Sequence, residues 1–391
     1  MIDFAGLRPF ATERQREYLD ALEVHGSARK VGAALGVHHQ SVMKSIHALE
    51  REAARRGYSP AHDMTHTVPD GFTVKGVSTY YDAEGKPRGQ WVKSRADETA
   101  MLDRLADLVS GLAEAVDGKF KATPSPTVVL SDYLTVYPIG DPHVGMYAWG
   151  EQTGEDFDLE IAERDLRGAM VRLVQASPAS HTAIVLNLGD LFHGDSPSNM
   201  TARSGNTLDI DTRWEKVMRI GARIMFWLVE HALEKHQTVI VRNVQGNHDD
   251  TSAFALSLIL EAYFRNEQRV HVDASPTPFW YYRFGKVLIG ATHGDKVKQA
   301  DLPSIMAADR AADWGETAHR YYYSGHIHHK DMKEHFGVVC ESFRTLAASD
   351  NYHHSHGYRS GRDMCAIVHH REWGEVERHR ADILRIRSEN G

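Results

Sequence analysis

Apolar positions recur at helical spacing three times between Thr12 and Arg56: first Tyr18, Leu19 and Leu22, then Val31, Ala34 and Leu35, then Val42, Ile46 and Leu49. This pattern predicts three short helices, the second running from Ser27 or Ala28 to Leu35 and the third from His38 to Arg56. A turn at Gly36-Val37 separates these two. Residues 72–93 switch to strand-like alternation on either side of a polar turn, Asp82-Ala83-Glu84-Gly85-Lys86, which predicts a hairpin. From Ala96 to Val116 the spacing becomes helical again, with an apolar stripe of Leu102, Leu105, Leu108, Val109, Leu112 and Val116. That stripe needs a partner: the rest of the chain by default, or a second copy in a homo-oligomer. Gly118, Pro124 and Pro126 interrupt both periods and mark residues 117–126 as a linker.

Beyond the linker, strand and helix patterns alternate. Strands are predicted at Leu134–Gly140, Ala183–Gly189, Val239–Gln245, Val287–Thr292 and Tyr321–Gly325, and helices at Ala162–Gln175, Arg213–Lys235 and Ser252–Phe264. Asp158 is placed to cap the first of these helices, and Thr212 with Glu215 has capping-box spacing for the second. The order is that of an α/β fold. The expected division is a helical unit over 1–60, a hairpin or wing over 61–95, a connecting helix and linker over 96–126, and a large α/β domain over 127–391.

Composition narrows the function classes. The 391 residues are 42% hydrophobic and 25% charged, and no apolar run approaches the ~18 residues of a membrane span. The N-terminus lacks the apolar core of a secretory signal, so a cytoplasmic protein is expected, with no membrane partner. Cys340 and Cys365 are too few for a disulfide framework and are expected as buried thiols in strands. A formal charge of -8 argues against a uniformly basic surface but leaves room for a local DNA-binding patch. The 25 histidines matter more, because imidazole is the commonest neutral ligand for transition metals.

Five polar clusters follow apolar runs directly: Asp141-Pro142-His143, Gly189-Asp190-Leu191-Phe192-His193, Gly246-Asn247-His248-Asp249, His293-Gly294-Asp295 and Gly325-His326-Ile327-His328. Open α/β sheets gather ligands at the carboxyl ends of their strands, so these clusters can converge. Carboxylates, an amide oxygen and imidazoles together suit manganese, iron or zinc better than calcium or magnesium. Neighbouring glycines allow sharp turns and close approach of a substrate.

In this order the clusters resemble the five signature motifs of the calcineurin-like metallophosphoesterases, over roughly residues 133–371. The resemblance implies a four-layer α/β/β/α sandwich holding two divalent ions, manganese first, with iron or zinc as alternatives. Asp141, His143 and His328 would hold one metal, Asn247, His293 and His326 the other, and Asp190 would bridge them. Such a pair activates water for in-line attack on phosphorus. His248 would stay free of metal and protonate the leaving oxygen, with Asp249 orienting it.

The second cluster, with Pro197-Ser198 after it, is similar to that of SbcD-type DNA repair nucleases, which implies that His193 contacts the scissile phosphate. A helix-turn-helix-like unit placed first resembles instead the phosphoesterases encoded by bacteriophages, and for these the location would be the host cytoplasm. In that unit His39, Gln40, Lys44 and Arg51 lie exposed on the recognition helix as DNA-binding residues, and the hairpin offers a second contact. A donor-rich loop, residues 349–362, offers His353, His354 and Arg359 to substrate phosphate, and Phe343, Tyr352 and Tyr358 as base-stacking groups. The function expected is a two-metal DNA nuclease. The rivals are a phosphomonoesterase or nucleotide phosphodiesterase acting on small molecules, and a DNA-binding regulator or packaging factor with a non-catalytic core.

Overall fold

Three helices form where the first apolar stripes place them, at Glu13–His25, Ala28–Leu35 and His39–Arg55. The computed structural model describes residues 4–62, 64–69, 72–197, 199–201, 207–355, 357 and 359–389. Thr12 and Gln15 form a reciprocal capping box on the first helix, and Ser27 accepts the Lys30 NH at the start of the second. Gly26 and Gly36 end these two helices at φ 72° and 67°, where a Cβ would be strained. The stripes meet in one cluster that includes Leu19, Leu22, Val31, Val42, Ile46 and Leu49. Gly32 permits this closeness, since a Cβ there would sit 2.6 Å from the Val37 carbonyl oxygen.

The hairpin pairs Phe72–Tyr81 with Pro87–Ala96 in antiparallel register. Asp82 Oδ1 accepts the NH groups of Glu84 and Lys86 and so closes the turn. The next helix is Glu98–Val116, and the chain's division into two compact units, Met1–Leu108 and Val109–Gly391, falls inside it. Leu112 is buried, while the side chains of Leu102, Leu105 and Leu108 lie outside the described structure. Residues 117–129 form neither helix nor strand, yet they are docked on the second unit. Phe120 packs against Tyr263 and Phe264, and the Gly118 NH donates to the Ala262 oxygen at 3.2 Å.

The second unit is mixed α/β. Its strands are β1 (Leu130–Ile139), β2 (Ser180–Asn187), β3 (Thr238–Asn243), β4 (Val270–Asp273), β5 (Trp280–Phe284), β6 (Val287–Ala291), β7 (His319–Ser324), β8 (Asp331–His335), β9 (Val338–Ser342), β10 (Asp363–His370) and β11 (Gly374–Asp382). One sheet has the order β11-β10-β1-β2-β3-β4, with β1 to β4 parallel. The other has the order β8-β9-β7-β6-β5, with β9, β7 and β6 parallel.

Alternation along the strands decides what each face meets. Val287, Ile289 and Ala291 of β6 join Leu134 and Val136 of β1, Ile184 and Leu186 of β2 and Ile367 of β10 in a core shared by both sheets. Leu288 and Tyr322 point the other way, onto Leu302 and Met306 of the helix Leu302–Asp309. The helices Leu159–Ala176, Trp214–Leu233 and Asp250–Tyr263 pack on strands of the first sheet. Each fully buried Leu, Ile or Val contributes about 1.5–3 kcal/mol, so this core is what holds the strand ends in place.

Asp158 caps its helix as expected, accepting the Ile161 NH at 2.8 Å. Thr212 does not. The N-cap of Trp214–Leu233 is Arg213, with no side-chain cap bond, which puts Glu215 one position too early to close a box. Cys340 and Cys365 are buried free thiols in β9 and β10. Among the described residues no helix is long and apolar enough to cross a membrane.

Candidate functional site

All five polar clusters lie just past the carboxyl ends of parallel strands: β1, β2 and β3 of one sheet, β6 and β7 of the other. The first two loops run side by side. His143 NH donates to the Asp190 oxygen at 3.0 Å, Val144 NH to the Leu191 oxygen at 2.7 Å, and His193 NH to the Val144 oxygen at 3.1 Å. The site is therefore built on backbone continued from the sheet.

Three groups of ligand-type side chains result among the described residues, the donor atoms in each within 4.8 Å of one another: Asp141, His143 and His328; Asp190, His293 and His326; and His143, His193 and His248, which shares His143 with the first. In the first, His143 Nε2 is 3.0 Å from His328 Nε2, and His328 Nε2 is 3.8 Å from Asp141 Oδ1. In the second, His293 Nε2 lies 3.2 Å from Asp190 Oδ2 and 3.0 Å from Asn247 Oδ1. His293 Nδ1–H donates to the Leu188 oxygen at 2.9 Å, which leaves Nε2 as the nitrogen aimed at this group. Donor nitrogens and oxygens about 3 Å apart match the spacing of ligands that share one ion at ~2.1 Å.

The backbone adds a second mark. Seven described non-glycine residues have positive φ, and five of them are Asp141, His143, Asp190, His326 and His328, at 45°, 46°, 52°, 71° and 54°. Each such residue costs on the order of 1–3 kcal/mol, a cost that proteins concentrate at functional sites. Glycines beside them are tight for a reason the sequence did not reveal. A Cβ on Gly246 would lie 2.0 Å from Asp190 Oδ1, and one on Gly325 would lie 2.7 Å from Asp141 Oδ2. Gly325 makes room for the Asp141 carboxylate, and Gly246 for both the carboxylate and the backbone of Asp190.

The charges are strongly coupled. Burial opposes ionisation of His293, but the Asp190 and Asp141 carboxylates outweigh it and push the imidazole up to about 10. Burial likewise opposes ionisation of Asp190, yet His293 and then His248 hold that carboxyl well below its usual range. Burial and the neighbouring His293 push His326 down, toward the neutral form that a metal ligand needs. Burial and the Asp190 charge push Asp249 up to about 8, against the NH groups that it accepts.

His193 and His248 lie parallel, 5.4 Å apart, and His248 Nδ1–H donates to the His193 carbonyl at 2.9 Å. His248 Nε2 is thereby left able to accept or pass on a proton. Asp249 does not orient that ring, contrary to the sequence expectation. Its carboxylate accepts the NH groups of Asp190 (3.1 Å), Phe192 (3.1 Å) and Gly246 (2.9 Å), so it ties together the two loops that carry the ligands.

All three groups face a cavity of about 740 Å³ lined by His143, Asp190, His193, Asn247, His248, His326 and His328. The loop after β9 contributes Asp350, Asn351, Ser355 and Ser360 to its wall. His354 and Arg359 are not among the lining residues; Arg359 Nη1 donates to the His354 backbone oxygen at 3.3 Å. The side chains of Tyr352 and His353 lie outside the described structure, as do Ser198 and Tyr358. Phe343 is core rather than a stacking group. Arg362 lines the cavity, but its guanidinium is held by Glu155 and the Leu346 oxygen.

Sequence reasoning missed two supports. Thr345 Oγ1 donates to the Asp141 carbonyl at 2.5 Å. Asp195 accepts Thr251 NH, Ser252 NH and Ser252 Oγ at 3.0, 2.7 and 2.6 Å, joining the His193 loop to the helix that follows His248. Neither has a signal in the sequence, since each partner is more than fifty residues away. In the N-terminal unit Gln40, Lys44 and Arg51 are exposed on one face of His39–Arg55, while His39 is half-buried.

No family model and no curated protein matches this sequence. Solved structures that match include an archaeal phosphodiesterase (13% identity, 63% of this chain and 99% of that one, TM-score 0.32) and a dimetal phosphatase from Danio rerio (9%, 64% and 99%, TM-score 0.35). Vps29 from Entamoeba histolytica, complexed with zinc, also matches (14%, 64% and 99%, TM-score 0.25). Likeness at these TM-scores decides neither fold family nor function, so the functional reading rests on the geometry above.

Proposed function

We propose that this chain is a two-metal phosphodiester hydrolase of the calcineurin-like metallophosphoesterase kind, with the four-layer α/β/β/α core of that family, and that it cuts DNA. The convergence of Asp141, His143 and His328 beside Asp190, Asn247, His293 and His326 carries this reading. The donor set fits two borderline divalent ions, manganese first, and Asp190 would be the ligand that both share. Bound there, such ions lower the pKa of water and neutralise charge developing at phosphorus.

The chain's own residues supply the rest. His248, with Nδ1–H committed to the His193 carbonyl, presents Nε2 toward the cavity to hand a proton to the leaving oxygen. His193, beside it in the cavity wall, faces the phosphate as a hydrogen-bond donor. Asp249 acts as a positioning residue through the backbone of both loops. The helices over 13–55 form the DNA-binding unit of helix-turn-helix type, with Gln40, Lys44 and Arg51 on its contact face, and tethering raises the local substrate concentration.

Manganese-loaded protein should hydrolyse bis(p-nitrophenyl) phosphate and nick plasmid DNA, and Asp190→Asn should do neither. Preference for the mono-ester, with no cleavage of plasmid, would contradict the DNA nuclease reading and support a small-molecule phosphatase.

A further inference from the structure

We infer that the Phe72–Tyr81/Pro87–Ala96 hairpin is a binding platform for unpaired nucleic acid strands, in which Tyr80 and Trp91 stack on bases and Lys93 and Arg95 hold the backbone phosphates. The inference concerns binding only and is independent of metal or turnover. It would give the proposed nuclease a preference for DNA with unpaired segments.

The cross-strand register places the residues. Tyr80 stands opposite Gly89, Ser78 opposite Trp91, and Gly76 opposite Lys93, so all six share one face of the ribbon. Each large side chain on that face meets a small one across the ladder, and neither ring is covered by its partner. Tyr80 is 62% exposed and Trp91 is 64% exposed. A Cβ on Gly76 or Gly89 would meet nothing within 4 Å, so the face is open on both sides of the rings. Strand alternation carries exposed Arg95 to the same side as Trp91 and Lys93.

Charge selects the occupant. The hairpin holds Lys75, Lys86, Arg88, Lys93 and Arg95 against only Asp82 and Glu84, in a chain of formal charge -8. A core-forming face would bury its aromatic residues, and a face for an acidic protein would not need two open rings. Flat aromatic groups beside cations match a strand whose bases are free to stack and whose phosphates lie alongside. Duplex bases are already stacked on each other and cannot use the rings.

The test is fluorescence anisotropy of the full chain in EDTA, with labelled 20-mers of thymidine and of uridine and a 20-bp duplex as probes. Tyr80→Ala and Trp91→Ala should each weaken single-strand binding roughly five- to hundred-fold. Trp91→Phe should stay within about twofold of wild type, and duplex affinity should be unchanged. Lys93→Gln with Arg95→Gln, which does not touch the rings, should lower the salt slope by about 1.4. The thymidine and uridine probes separate a DNA strand from an RNA strand as the ligand. Unchanged binding of both single strands by the alanine variants, or an unchanged salt slope in the Gln pair, would overturn the proposal. So would a fall in binding that only accompanies dissociation of a dimer, because the face would then pair copies of the chain. The absence of metal keeps these outcomes separate from any failure of the nuclease reading.

Discussion

The backbone NH of Asp190 donates to Asp249 Oδ1 at 3.1 Å, so one carboxylate of the site holds the chain segment that presents another. Asp249 also takes the NH groups of Phe192 and Gly246, and alanine in its place would strand three donors in a buried loop. At about 1–3 kcal/mol for each stranded group, partly relieved by water, Asp249→Ala should cost about 3–5 kcal/mol in urea unfolding. A loss below about 1 kcal/mol would show that the loops do not depend on this carboxylate.

Gly246→Ala tests the close packing of the site. The added Cβ would stand 2.0 Å from Asp190 Oδ1 and 2.3 Å from the Asp190 backbone nitrogen, so the carboxylate and the loop that carries it must both move. Metal affinity should fall at least tenfold while the circular dichroism spectrum stays that of wild type. Unchanged affinity would mean that Asp190 is not a ligand in this position.

His248→Ala should keep its metal content and lose ~100- to 10,000-fold in turnover on oligonucleotides, the usual contribution of a proton donor. Bis(p-nitrophenyl) phosphate, whose leaving group needs no proton, should suffer much less. An equal loss on both substrates would move His248 from leaving-group protonation to another role.

Metal binding and pH are linked through His293. In metal-free protein its carboxylate neighbours raise it to about 10, so the stability they provide is complete below its ordinary value near 6.5 and is lost as pH rises toward 10. Asp249, raised to about 8, changes stability in the same direction between its ordinary carboxylate value and pH 8. Metal-free protein should therefore weaken to urea between pH 6.5 and 10. A ligand imidazole must be neutral, so metal uptake at pH 7 should release about one proton, seen by calorimetry in buffers of different ionisation enthalpy. No proton release would remove His293 from the ligand set.

The five clusters could be read from sequence because each is a contiguous polar run that ends an apolar strand, and strand ends in an α/β sheet share one edge. What escaped was of two kinds. Among the strands, β4 and β5 are only four and five residues long, β9 and β10 are expected only around Cys340 and Cys365, β8 is an edge strand with polar residues at most positions, and β11 carries Glu375, Glu377, Arg378 and Arg380. The roles of Asp249, Asp195 and Thr345 depend on backbone groups that only the folded chain brings near, 57 and 59 residues away for Phe192 and Asp190 in the case of Asp249. Gly246 and Gly325 were noticed for their flexibility, whereas their use is the space that a missing Cβ leaves for a carboxylate.

Metal content after manganese loading and exhaustive dialysis, measured by elemental analysis on wild type and on Asp190→Asn, bears most directly on all of this. Two ions per chain in wild type and at most one in the variant are expected from a carboxylate shared between two groups. Wild-type protein that retains none under any loading condition would contradict the two-metal hydrolase.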